Sequence, residues 1–147
     1  LTRGVITVHG GAQRRPNVHI DDLVRCYQAL LEADPSVVSG RTYNLSQVNL
    51  TVGAIAELIA DTLSDLEVRI EVAPIHDVRD YHLCADRLER ELGFVATTPI
   101  SAAVRTLRRH ALEMGTFGDP DDDRYYNLRS MRLDRRDTAY RFIGGER

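Results

Sequence analysis

Apolar and polar positions along this chain alternate between two periods. Val5-Ile6-Thr7-Val8 is a short β-branched run stopped by Gly10-Gly11, and it predicts a strand over 4–9. Gly10 to Pro16 reads as a loop in which Pro16 forces Arg15 toward extended backbone. Asn17 to Ile20 is extended again. The period then changes. Asp21 or Asp22 is placed to cap a helix over 22–33, with Leu23, Val24, Tyr27, Leu30 and Leu31 as a wide apolar face and Asp34-Pro35 as its end. Gly40 to Ser46 predicts a short buried strand. Thr51 caps a helix over 52–64, along which Val52, Ile55, Ile59 and Leu63 stack. From Glu67 to Ala73 the alternation is strict: Val68, Ile70 and Val72 point one way, Glu67, Arg69 and Glu71 the other. That is a half-exposed strand, closed by Pro74. A polar loop over 75–80 and a short extended piece over 81–85 follow. Asp86 with Glu89 then resembles a capping box, and Gly93 is a helix stop. Ser101 is the expected cap of a last helix over 102–114, with Ala103, Val104, Leu107 and Ala111 facing inward.

Strands alternating with helices define an α/β chain, and the first helix joins two strands that can lie parallel in one sheet. Three convincing strands are fewer than a complete nucleotide-binding sheet needs. Residues 1–115 are expected to form the folded strand–helix units. Residues 116–147, opening with Asp119-Pro120-Asp121-Asp122-Asp123, are expected to be a polar, partly disordered extension. The chain opens on Leu1 almost at a strand, which suggests part of something longer.

Composition narrows the chemistry. All 19 cationic residues are arginine, so the chain supplies no catalytic, Schiff-base or P-loop lysine. The net charge of −3 creates no basic field to recruit nucleic acid. Two cysteines are too few for a disulfide framework, and Cys26 and Cys84 are expected to be reduced and half buried in a cytoplasmic protein. No apolar run approaches the roughly 18–20 residues that span a bilayer.

Ligands of α/β sheets bind beyond the carboxyl ends of the strands, where the arginine loop after the first strand lies. On its residues alone, Arg15 reads equally as a phosphate clamp and as a solvated loop arginine, and Arg14 reads as solvent-facing. His19 reads as a packing residue with a ligand contact as the alternative. Asp21 and Asp22 read as helix caps. Arg79 divides between a second clamp and an ion pair with Asp77 or Asp80. His82-x-Cys84 with His76 or His19 is a weak zinc pattern, and no metal is expected. Tyr125-Tyr126 sit among aspartates, which argues against stacking on bases.

The ordered set of motifs resembles one family. Gly-Gly-x-Gln-x-Arg-x-x-x-His-Ile-Asp-Asp at 10–22 is similar to the segment before the last large helix of extended short-chain dehydrogenases, the NAD-dependent nucleotide-sugar epimerases, dehydratases and reductases. Tyr43-Asn44-Leu45 with the Thr51 helix resembles their next strand–helix pair. Asp77-Val78-Arg79-Asp80-Tyr81, Leu92-Gly93-Phe94 and the Ser101 helix resemble their substrate lobe, and Tyr125-Tyr126-Asn127 a tail of some members. The resemblance covers residues 4–128. It implies the C-terminal portion of a Rossmann-like NAD(P)-binding fold plus its small substrate-binding lobe. It also implies that Arg15 grips the pyrophosphate of a nucleotide sugar, with Arg79, His19 and Asn17 as further substrate-binding candidates. The family often carries an aromatic where Asn17 stands. Neither a glycine-rich dinucleotide turn nor the family's Tyr-x-x-x-Lys pair occurs here. NAD or NADP is therefore implied for a missing N-terminal region, no catalytic residue is assigned, and the chain alone is expected to be inactive. The implied partner is a Rossmann half or a second copy; the alternative is a non-catalytic remnant serving as a binding or oligomerisation module.

Overall fold

The computed structural model describes residues 4–74, 79–113, 115, 119 and 122–126. In chain order the elements are β1 (Val5–His9), β2 (Arg14–Asn17), α1 (Ile20–Glu32), α2 (Pro35–Val38), β3 (Val48–Thr51), α3 (Val52–Thr62), β4 (Arg69–Ala73), α4 (Asp86–Leu92) and α5 (Ile100–Leu112), with a 3₁₀ turn at Asp123–Tyr125. Two small sheets result. β1 and β4 pair in parallel with Val5 opposite Arg69 and Val8 opposite Val72. β2 and β3 pair antiparallel with Arg14 opposite Thr51. Parallel strands need a long crossover, and here it holds the second sheet and three helices. α3 lies against β1, β4 and α5, and Val8, Ala56, Leu63 and Val104 are buried in that region. Among the described residues no helix is long and apolar enough to cross a membrane.

The turn after β1 locks this arrangement. Gly11 has φ +118°, a conformation few side chains tolerate. Its carbonyl accepts from the Gly53 amide at 2.9 Å, and a Cβ on Gly53 would meet that same oxygen at 3.3 Å. Gln13 braces the turn: its Oε1 accepts from the Gly11 amide at 2.7 Å while its Nε2 donates to the His9 carbonyl at 2.6 Å.

Several sequence expectations are corrected. The loop expected over 10–16 contains β2. The Val52 amide donates to the Gln13 carbonyl at 3.0 Å, so Gln13, Arg15 and Asn17 carry the ladder. Pro16 falls between bonded positions and turns its missing N–H outward, the one placement a strand tolerates. β3 lies where no element was expected. The strand expected over 40–46 does not form: Gly40 sits in a turn, and among the described residues no strand pairs with 41–46. Pro35 opens α2 under an Asp34 cap rather than only ending α1. Thr51 caps α3 as expected, accepting from the Ala54 amide at 3.1 Å. In contrast α5 starts at Ile100 behind Pro99, and Ala85 precedes α4 with no side-chain cap.

α1 differs most from expectation. It begins at Ile20, and His19, not an aspartate, is its cap: His19 Nδ1 accepts from the Asp21 amide at 3.1 Å. The apolar stripe is exposed, with Tyr27 at 61% and Leu31 at 86%. Cys26, next to Tyr27, is buried, and burial pushes its thiol pKa up; Cys84 is exposed and both are free thiols. Asp22 is 0% exposed. Burial alone would raise its pKa. Bonds from the Arg25 guanidinium and from the Thr98 amide (2.8 Å) and hydroxyl (2.9 Å) outweigh that and hold it below the ordinary carboxylate value. This carboxylate ties α1 to the segment that leads into α5.

Asp22→Ala should cost about 3 kcal/mol of stability in urea unfolding, because the Thr98 donors lose their acceptor inside the protein. With its folded pKa depressed, the wild-type contribution is fully present above the unfolded value of 3.8 and disappears as pH falls through the folded value. The two proteins should therefore converge in stability in strong acid and differ at neutral pH.

Candidate functional site

The outer edge of β2 faces the turn at 79–81, and four side chains join them. Because Arg15 bonds β3, the Arg14 amide points outward, and it donates to Asp80 Oδ1 at 2.6 Å. The Arg14 side chain grips the same carboxylate, through Nε at 3.2 Å to both oxygens and through Nη2 at 2.9 Å. Asp80 therefore closes an edge amide and a guanidinium fork at once. Its pKa is lowered by the Arg14 side-chain bond and the Arg14 amide, and that of Arg14 is raised by the same contact.

Arg15 reaches the same turn from the next position. Its Nη1 donates to the Arg79 carbonyl at 2.5 Å and to the Arg14 carbonyl at 2.8 Å. Its guanidinium lies over the Tyr81 ring, 4.8 Å from the centroid, a cation–π contact. The structure thus brings together the main chain of Arg79 and the side chains of Arg14, Arg15, Asp80 and Tyr81. Arg14, read from sequence as solvent-facing, is paired. Asp80 pairs with Arg14. Asp77 and His76 lie outside the described residues. Asn17 and His19 make local bonds: Asn17 Nδ2 donates to the Arg15 carbonyl at 2.7 Å, and His19 caps α1.

A cleft of about 430 Å³ adjoins the turn, lined by Ser46, Asn49, His82, Cys84, Asp86 and Phe94 among others. Neither Arg15 nor Arg79 lines it. Asn49 sets one wall by mimicking a strand: its Oδ1 accepts from the Leu83 amide at 2.9 Å and its Nδ2 donates to the Leu83 carbonyl at 3.0 Å. His82 Nε2 is 3.5 Å from Asn49 Nδ2. Among the described residues no group of three or more His, Cys, Asp or Glu is disposed to hold a metal ion. Sequence reasoning missed Tyr81 and Asn49. The one available signal for Asn49 was an amide side chain between two apolar residues, Val48 and Leu50.

Two helix starts near the site have their first amides occupied. Phosphates bind helix N-termini whose first amides are open. At α3 the Val52, Gly53 and Ala54 amides are taken by Gln13, Gly11 and Thr51, and at α1 the Asp21 amide is taken by His19.

A second cluster ties residues 41–43 to α4. Glu91 accepts from the Tyr43 hydroxyl at 2.7 Å, Arg41 Nη1 at 2.9 Å and Arg87 Nε at 3.0 Å. Arg87 also donates to the Thr42 carbonyl at 3.3 Å and sits over the Tyr43 ring. Tyr43, then the two arginines, depress the Glu91 pKa from 4.5 to about 2.

No family model matches this chain, and no curated protein matches it. Solved structures do. The fold they share with this chain is a mixed α/β one. L-threonine dehydrogenase from Clostridium difficile superposes with TM-score 0.66 at 15% identity, over 78% of this chain and 38% of that one. MoeE5, solved in complex with UDP-glucuronic acid and NAD, superposes with TM-score 0.59 at 21% identity, over 76% and 39%. RMD from Pseudomonas aeruginosa, complexed with NADPH, superposes with TM-score 0.56 at 20% identity, over 69% and 33%. The chain therefore spans between a third and two-fifths of the length of these proteins.

The Glu91 cluster predicts a local acid response. Its folded pKa lies below the unfolded one, so the tie is complete above about pH 4.5 and is lost as pH falls toward about 2. Protection from amide exchange across 41–43, taken relative to the intrinsic rate at each pH, should fall over that window, and Glu91→Gln should remove that fall.

Proposed function

We propose that this chain is the substrate-gripping part of an NAD(P)-dependent enzyme acting on nucleotide-diphosphate sugars. Arg15 is the pyrophosphate clamp and the 79–81 turn its opposite wall. The cofactor and the acid–base residues belong to a Rossmann half outside this chain. The observation that carries the reading is the position of Arg15. It lies on a strand edge directly after the β1 turn, in bonding contact with the Arg79 carbonyl and stacked on Tyr81. A guanidinium held in this way keeps a planar fork of donors oriented without ordering a long flexible side chain anew. The Arg14–Asp80 pair holds the two walls together. His19 and Asn17 serve this site indirectly, His19 by starting α1 and Asn17 by bonding the Arg15 carbonyl. Further support comes from MoeE5, a structural neighbour solved with UDP-glucuronic acid.

Within such an enzyme these residues orient substrate. A diphosphate that replaces the Arg79 carbonyl as acceptor exchanges a neutral hydrogen bond for charge-assisted ones. It also frees the turn to close on the ligand. The reaction class, whether epimerisation, dehydration or reduction, resides in the other half. A second reading has one specific observation in its favour: several structural neighbours are L-threonine dehydrogenases. In that case the arginine cluster would receive an amino-acid carboxylate.

Calorimetric titration separates the readings. UDP-sugar should bind the chain, and Arg15→Ala should weaken that binding about 10–100-fold. L-threonine should bind much more weakly. Equal affinity of wild type and variant for UDP-sugar would remove Arg15 from the site, and tighter binding of L-threonine would favour the amino-acid reading. The chain alone should form no NADH from NAD with either substrate.

A further inference from the structure

The outer edge of β4 has properties that the nucleotide-sugar reading does not use. The Arg69 amide donates to the Gly4 carbonyl and the Gly10 amide donates to the Ala73 carbonyl, both at 2.9 Å. With the register of the parallel pair, this turns the backbone groups of Arg69, Glu71 and Ala73 toward β1. Those of Ile70 and Val72 therefore point outward, and among the described residues no strand lies on that side. The side chains are open as well, Ile70 at 37% and Val72 at 70%. Arg69 and Glu71 are exposed, and neither forms an ion pair among the described residues.

We propose that this edge is a self-complementary interface, and that its partner is a second copy of the chain paired antiparallel about Ile70. The register follows from three independent constraints. Outward-facing residues must be opposite outward-facing residues to exchange hydrogen bonds. Centring on Ile70 satisfies this, with Ile70 opposite its own copy and the Val68 carbonyl opposite the copy's Val72 amide, the Val68 amide being already bonded to the Leu66 carbonyl at 2.9 Å. In the same register Arg69 stands opposite the copy's Glu71, twice by symmetry, so all four charges are matched. The neighbouring registers fail. Centring on Glu71 or on Arg69 places like charges face to face, and centring on Val72 brings Pro74, which has no amide hydrogen, opposite Ile70.

The apolar side of the pair is complementary too. Val68, with Ile6, Ile59, Leu63 and Leu107, lines an apolar groove of about 160 Å³. The register sets the copy's exposed Val72 beside Val68 at this groove. The product is a four-stranded sheet, β1-β4-β4-β1, with a twofold axis through Ile70. A twofold contact uses the same patch on both copies and therefore closes, rather than propagating as an exposed edge otherwise would.

Sedimentation velocity on the full 147-residue chain, across a wide concentration range, tests this. A concentration-dependent dimer is expected. R69E or E71R alone converts two matched pairs into two like-charge pairs and should weaken the dimer about tenfold or more. The double variant R69E/E71R restores opposite charges in the same register and should recover the wild-type dimer. Circular dichroism of each variant confirms that the monomer is folded. A chain monomeric at every concentration overturns the proposal. So does a dimer indifferent to the single reversals, or one that the double reversal does not rescue. UDP-sugar titration of the same variants should be unchanged, which keeps this outcome separate from that of the Arg15 site.

Discussion

An apolar face or a strand edge has to be covered by something, and the described part of this chain carries more of both than it covers. The parallel pair β1–β4 is shielded by α3 and α5, and that is where Val8, Ala56, Leu63 and Val104 are buried. Among the described residues the α1 stripe and the β4 edge have no such cover. Single exposed apolar side chains are ordinary on proteins. A helix whose Ile20, Val24, Tyr27 and Leu31 are exposed at successive turns is a face. These features agree with the limited share of the Rossmann-like structures that the chain spans.

Where packing is incomplete, charged side chains do the joining. Asp22 ties α1 to the Thr98 backbone from a fully buried position. Asp80 ties the β2 edge to the 79–81 turn, and Glu91 ties residues 41–43 to α4. Each carboxylate collects several donors, and that is what depresses its pKa despite desolvation. Arginine suits this work because a planar fork serves two acceptors at once and also stacks on rings, as Arg15 does on Tyr81 and Arg87 on Tyr43. A lysine-free chain loses certain chemistries, but for joining elements it is well supplied.

The candidate binding site follows from the same economy of contacts. β2 is only four residues long, and its outward Arg14 amide is closed by a carboxylate from a turn 66 positions away. That closure sets the separation between Arg15 and the turn. Pro16 contributes by leaving no outward amide at the next outward position. The functional reading therefore rests on backbone phase as much as on side-chain identity: shifting β2 by one residue would point Arg14's amide inward and leave Asp80 without it.

Local signals determined a good deal. Gly10-Gly11 after a β-branched run, Thr51 before an apolar helix, the strict alternation at 67–73 and Gly93 all lie where local backbone chemistry requires them. Each depends on neighbours within a few residues. The arginine loop after the first strand was legible for the same reason. Other features were decided by contacts between distant segments. Whether 40–46 becomes a strand depends on a neighbour to pair with. Whether the α1 stripe is buried depends on a surface to meet it. Asp22 has cap chemistry in sequence, yet Thr98, 76 positions away, makes it a buried tether, while His19 takes the cap. β2 and β3 were hidden because a proline and two arginines are poor strand formers alone, and only the ladder between them makes the extended form the stable one.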